Sequence, residues 1–129
     1  MAHPNEDLVR SATEALNQGD AQTFLDMHAD DVVVHVTGRN ALSGDFKGKG
    51  EVGASFQKQM EMFDAPPEFE IHDVLANDEH SVVLGVQRAT RGGRTLETKA
   101  TVVLHVRGGK FTEIWVTSTD PYAEDEFLA

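Results

Sequence analysis

Cysteine is missing from this sequence of 129 residues. Its absence excludes a disulfide framework, a thiol nucleophile and a metal site built from thiolates.

Basic residues are scarce, with 11 Lys and Arg against 22 Asp and Glu and a net charge of −11. Nucleic acids and anionic membranes are disfavoured as partners, because phosphate binding needs a concentration of positive charge. No apolar run approaches the length of a membrane span, and the acidic N-terminus does not read as a signal peptide. A cytoplasmic protein is the expectation.

Two segments resemble binding motifs, one for a dinucleotide and one for a metal ion, but neither predicts a site. The segment GKGEVG at residues 48–53 matches a dinucleotide pattern, but the antiparallel strands expected after it do not form the βαβ unit that this pattern requires. His28, Asp30, Asp31 and His35 lie close together in sequence without a recognised metal-ligand spacing. We therefore expect neither a cofactor nor a metal.

The length predicts one domain over residues 1–129. Leu8, Val9, Ala12 and Leu16 recur at helical spacing, and Gly19 is placed to end that helix. Asp20 predicts the start of a short second helix. The β-branched residues 32–37 predict a strand, and residues 51–63 a third helix with a Phe and Met face.

Four further strands are predicted at residues 68–76, 81–90, 95–106 and 110–118. Gly92-Gly93 and Gly108-Gly109 separate the last three and suit tight hairpins. The strands around Val83 and Val103 are apolar on both faces. One face can pack on the helices, and a homodimer formed through the sheet would cover the other.

This order of elements resembles the nuclear-transport-factor-2-like superfamily and, within it, the SnoaL-like proteins. The segments that carry the resemblance are ADDVVV (29–34), GRNALSGDFKG (38–48), GKFTEIW (109–115) and DPYAEDEF (120–127). The resemblance implies an α+β fold, a cone-shaped curved antiparallel sheet with three N-terminal helices packed on its concave face. That scaffold hosts isomerases, cyclases, dehydratases, hydrolases and binding modules, so it does not select one reaction.

His35 is the first candidate catalytic residue. Its neighbours Val33, Val34 and Val36 are apolar, and histidine titrates near neutrality, which suits proton transfer to a bound organic molecule. The alternative is a core histidine whose ring nitrogens are satisfied within the protein.

Asp120 is the second candidate. The resemblance implies an aspartate acid or base after the last strand, and Asp120 stands about one residue later than that pattern. Alternatively, Asp120 followed by Pro121 begins a turn. The ketosteroid-isomerase branch of the superfamily uses a carboxylate base at the end of the first strand and a tyrosine in the oxyanion hole. That arrangement does not carry over, because Val36 and Thr37 occupy the end of the first strand and the only tyrosine, Tyr122, lies in the C-terminal tail.

Five residues are candidates for binding a substrate. Gln87 shares a strand face with Val83, and its neutral amide can hold a carbonyl or hydroxyl group. Phe56, Met60 and Trp115 could wall an apolar cavity or belong to the core. His105 could line the pocket or the dimer interface.

The acidic tail at residues 124–126 is expected to be solvated.

Two functions fit these features. The first is a cofactor-independent proton-transfer enzyme of the isomerase, cyclase or dehydratase type, acting on a small hydrophobic carbonyl or hydroxyl compound. His35 and Asp120 would exchange the proton, with Gln87 and Trp115 positioning the substrate. The second is a non-catalytic dimeric module of the same fold that binds a small apolar ligand.

Overall fold

The computed structural model describes residues 2–129. Four helices and six strands follow one another along this part of the chain. They are α1 (Pro4–Gln18), α2 (Ala21–Asp26), β1 (His28–Val36), β2 (Gly44–Lys47), α3 (Gly48–Met62), β3 (Glu68–Ala76), β4 (His80–Arg91), β5 (Arg94–Arg107), β6 (Lys110–Ser118) and α4 (Pro121–Phe127).

The first two helices begin and end where side-chain chemistry dictates. The His3 side chain accepts a hydrogen bond from the Asn5 N–H at the start of α1, and Gly19 ends that helix in the left-handed conformation, with φ of 70°. Asp20 then accepts a hydrogen bond from the Thr23 N–H and caps α2. The predicted end of α1 at Gly19 and the predicted start of α2 at Asp20 are confirmed.

The sheet has the strand order β2-β1-β6-β5-β4-β3. Strands β3 to β6 form the predicted antiparallel meander. The glycine pairs 92–93 and 108–109 all have positive φ, as two-residue hairpins of this kind require. The α+β prediction is confirmed.

Three features of the fold were not predicted. β1 pairs in parallel with β6, which places the first strand beside the last one, while β2 pairs antiparallel with β1 as a short edge strand. The tail is only in part a solvated end: residues 121–127 form the helix α4, in which Glu126 is exposed while Glu124 lines the pocket.

Alternation along the strands gives the sheet two faces. The inner face, which includes Val34, Val83, Thr98 and Val116, meets the helices and surrounds a pocket. The outer face carries His35, Trp115, Val103 and Val82, which the strand register places side by side. Within residues 2–129, none of the helices is both long and apolar enough to span a membrane.

Candidate functional site

A pocket of about 230 Å³ lies between the inner face of the sheet and the helices. Its walls are mainly apolar, and all seven phenylalanines of the chain contribute to them. They are Phe24, Phe46, Phe56, Phe63, Phe69, Phe111 and Phe127. A small hydrophobic molecule is the kind of ligand that such walls accommodate.

Four polar side chains line the pocket together, and we call Gln87, Thr98, Ser118 and Glu124 the polar cluster. Gln87 on β4 pairs directly with Thr98 on β5, and Ser118 pairs with Ala100 one inner-face position further along β5. The Thr98 hydroxyl donates a hydrogen bond to Glu124 Oε1 over 3.2 Å. The cluster thus joins three neighbouring strands to α4.

Helix α4 directs Glu124 into the pocket. Asp120 caps the helix by accepting a hydrogen bond from the Ala123 N–H, and Pro121 occupies its first turn. Glu124, Phe127 and Leu128 follow at i, i+3 and i+4 and all line the pocket. The short helix therefore presents one carboxyl group and two apolar side chains to the interior.

The environment of Glu124 alters its acidity. Burial raises the pKa of this carboxyl group above its usual value, and the charges of Asp125 and Asp120 act in the same direction. Hydrogen bonds from Ser118 and Thr98 oppose the shift by stabilising the ionised form. A carboxyl group with a raised pKa can release and take up a proton closer to neutral pH.

Helix α4 is also tied to the loop between β1 and β2. Asp125 Oδ1 accepts hydrogen bonds from the Arg39 N–H and from Asn40 Nδ2, both over 2.8 Å. Asn40 and Leu42 line the pocket. One carboxylate thus holds the loop and α4 together at the pocket wall.

His28 is the other titratable residue of the pocket wall. It is almost fully buried, and its Nδ1–H donates to the Phe24 carbonyl oxygen over 2.7 Å. Burial lowers the pKa of His28, which favours the neutral form of the ring. Its Nε2 has no hydrogen-bond partner among the described residues.

His35 lies on the outer face and does not line the pocket. Its ring stacks on Trp115 with centroids 5.3 Å apart, and Trp115 in turn contacts His105. The reason is strand alternation: Val34 and Val36 point inward, so His35 points outward. Trp115 and His105 likewise lie outside the pocket lining, for the same reason.

The remaining predicted residues divide between the pocket and other positions. Gln87 and Phe56 line the pocket. Met60 does not, and its sulfur lies near Gly19 at the end of α1. Asp120 is exposed and caps α4, as the turn interpretation anticipated. The structure therefore does not bring His35 and Asp120 together around a ligand.

Glu124 was missed because the tail was interpreted as solvated. The signal that could have identified it is the Asp120-Pro121 pair, a typical helix start, followed by Glu124 and Phe127 at helical spacing. A carboxylate on the same face as a buried phenylalanine is a candidate for an interior position.

Comparison with known proteins agrees with this architecture. The family model described as SnoaL-like domain matches residues 9–114. An uncharacterized protein of Mycobacterium tuberculosis is 32% identical over 124 residues, covering 95% of this chain and 95% of that protein.

Solved structures show the same fold. Bal32a, from a soil-derived mobile gene cassette, has a TM-score of 0.91 at 26% identity and covers 98% of this chain and 97% of its own. An NTF2-like protein of unknown function from Burkholderia pseudomallei has a TM-score of 0.89 at 22% identity, with 99% of each chain covered. The NTF2-like fold is therefore established.

Proposed function

The chain belongs to the SnoaL-like domain family, and from that premise we propose that it is a cofactor-independent proton-transfer enzyme of the isomerase, cyclase or dehydratase type. Its substrate is a small hydrophobic carbonyl or hydroxyl compound that binds in the pocket. The proposal does not depend on the fold alone, because the same fold supports many chemistries.

Glu124 carries the proposal. It is the only carboxyl group among the described residues that line the pocket, and its pKa is raised by burial. The most effective acid or base has a pKa near the working pH, because both of its forms are then available. Glu124 replaces the pair of His35 and Asp120 in this role.

The chemistry follows from the polar cluster. Ionised Glu124 removes a proton from the carbon next to a substrate carbonyl, and the electron pair moves onto the carbonyl oxygen. The Gln87 amide, which lines the pocket, can donate to that oxygen as its charge develops. The protonated Glu124 then returns the proton to the same carbon or to a neighbouring one.

Deuterium exchange tests the proton transfer without knowledge of the natural substrate. Benzylacetone is incubated with the protein in D2O, and deuterium at the carbons beside the carbonyl is followed by NMR. We expect exchange above the buffer rate and a loss of about 10²–10⁴-fold in Glu124→Gln, because the base is removed.

Glu126→Gln is the matched control, because Glu126 lies on the same helix and is exposed. This variant should exchange at the wild-type rate. Wild-type protein that binds benzylacetone without exchange, or a Glu124→Gln variant that is fully active, would contradict the proposal. Binding of benzylacetone without exchange would support the alternative function, a non-catalytic module that binds a small apolar ligand. The seven phenylalanine side chains of the pocket wall are compatible with that function too.

A further inference from the structure

The pocket has an unusual charge balance. Among the described residues that line it, none is lysine or arginine, and Glu124 is the only carboxyl group. Burial of His28 lowers the pKa of its ring and so disfavours a positive charge there. When Glu124 is ionised, its charge therefore has no partner of opposite sign in the pocket wall.

The surroundings of Glu124 add negative rather than positive charge. The charges of Asp125 on α4 and Asp120 at the start of that helix raise the pKa of Glu124. Thr98, Ser118 and Gln87 face it from the three strands and are uncharged. The whole chain has a net charge of −11, which attracts cations and repels anions over long distances.

Two arginines lie near the end of α4 and do not change this balance. Arg91 donates hydrogen bonds to the main-chain oxygens of Phe127 and Ala129. Arg94 lies over the Phe127 ring at 5.5 Å. Neither residue lines the pocket.

The apolar walls favour a positive charge as well. Their aromatic side chains are phenylalanines, and the face of a phenyl ring attracts a cation. An ionised carboxylate has about four acceptor positions, so two hydroxyl donors leave room for a ligand N–H. A buried charge is tolerated when it is paired and hydrogen-bonded.

We infer that the pocket binds hydrophobic amines as ammonium ions, with the ammonium group donating to Glu124 and the apolar part held among the phenylalanine side chains. The inference uses the pocket and the carboxylate of the proposed function, but it does not require proton transfer to carbon. An anionic ligand of the same shape would meet only negative charge.

Three probes of one shape test the inference: phenylpropylamine, phenylpropanol and phenylpropanoate. Their affinities for the full chain are measured by isothermal titration calorimetry at neutral pH. We expect the amine to bind at least ~10-fold tighter than the alcohol, and the carboxylate to bind weakest. Amine affinity should fall as the pH is lowered through the raised pKa of Glu124, because protonation removes the negative partner.

Two variants separate a direct contact from long-range attraction. Glu124→Gln should bind the amine no better than the alcohol, because the charge that distinguishes the two ligands is removed. Glu126→Gln removes one charge from an exposed position on α4 and should keep the amine preference. An alcohol that binds as tightly as the amine, or equal losses of amine affinity in both variants, would overturn the inference.

The outcome can be separated from that of the proposed function. Tight amine binding without deuterium exchange of benzylacetone would support this inference and contradict proton transfer. Deuterium exchange that depends on Glu124, without a preference for the amine, would support proton transfer and contradict the inference on amine binding.

Discussion

His35 lies between two carboxylates on neighbouring strands. Its Nδ1 is 2.7 Å from Asp45 Oδ1 on β2, and its Nε2 is 2.7 Å from Glu113 Oε2 on β6. A neutral imidazole has one N–H, so both hydrogen bonds can form only in the imidazolium ion. The hydrogen bond to Glu113 and, to a smaller extent, the one to Asp45 raise the pKa of His35 in the folded protein.

The raised pKa of His35 predicts a pH-dependent contribution to stability. A group whose pKa is higher in the folded state stabilises the protein fully below its unfolded pKa, and this stabilisation is lost as the pH rises through the folded pKa. In urea unfolding between about pH 5 and pH 9, wild-type protein should lose stability over that window relative to His35→Gln. His72→Gln is the control, since His72 is exposed and makes no ion pair within residues 2–129. Parallel curves for wild type and His35→Gln would contradict the prediction.

At the scale of secondary structure, β3 and β4 meet at a position that only glycine can occupy. A Cβ atom on Gly85 would lie 2.4 Å from Phe69 Cε1 and 2.5 Å from the Glu70 carbonyl oxygen. The Phe69 ring thus covers the backbone of β4 and also lines the pocket. The close approach of β3 and β4 at Gly85 therefore determines where the Phe69 side chain lies in the pocket wall.

Gly85→Ala should therefore destabilise the protein by about 1–3 kcal/mol, because the methyl group forces the Phe69 ring and the β3 backbone to move. Chemical denaturation measures the change, and ligand binding should weaken with it. Gly50→Ala in α3 is the control, since a Cβ atom there meets nothing within 4 Å, and we expect it to be neutral or stabilising by up to about 1 kcal/mol. A Gly85→Ala variant as stable as wild type would show that the contact is not required.

At the scale of the whole molecule, the outer face of the sheet has a mainly apolar row that no helix of residues 2–129 covers. The register aligns Val82, Val103, Trp115 and His35 across four strands. Leu75, on the edge strand β3, is 56% exposed. Val82, Val103 and Trp115 are half-buried, and apolar side chains that remain accessible in one patch are typical of interfaces.

We expect two copies of the chain to pair through this face, as the apolar strands of the sequence indicated. Val103→Glu places a charge at the centre of the row and should convert a dimer into a monomer, because an isologous interface would bring the two new charges close together. Light scattering coupled to size exclusion measures the mass. Ala65→Glu, at an exposed position outside the sheet, should leave the mass unchanged. A wild-type monomer at micromolar concentration would contradict the expectation.

Prediction from sequence succeeded where the signal is local. Strands β3 and β6 were predicted with the residue limits that the structure shows, and β4 and β5 within one residue at each end. Their alternating side chains and Gly-Gly turns act over a few residues. Helix α4 and strand β2 are short, and their sequences lack a long periodic pattern, so both were missed.

The amino-acid sequence by itself determined the α+β class, the order of most elements and the largely apolar character of the interior, because each depends on local spacing or composition. Only the tertiary structure decided which chemistry faces the pocket. The pairing of β1 with β6 joins residues far apart in sequence and aligns His35 with Trp115 on the outer face. Packing of α4 against the sheet brings Glu124 to Thr98. Such non-local contacts depend on packing of the whole chain, which local patterns do not specify.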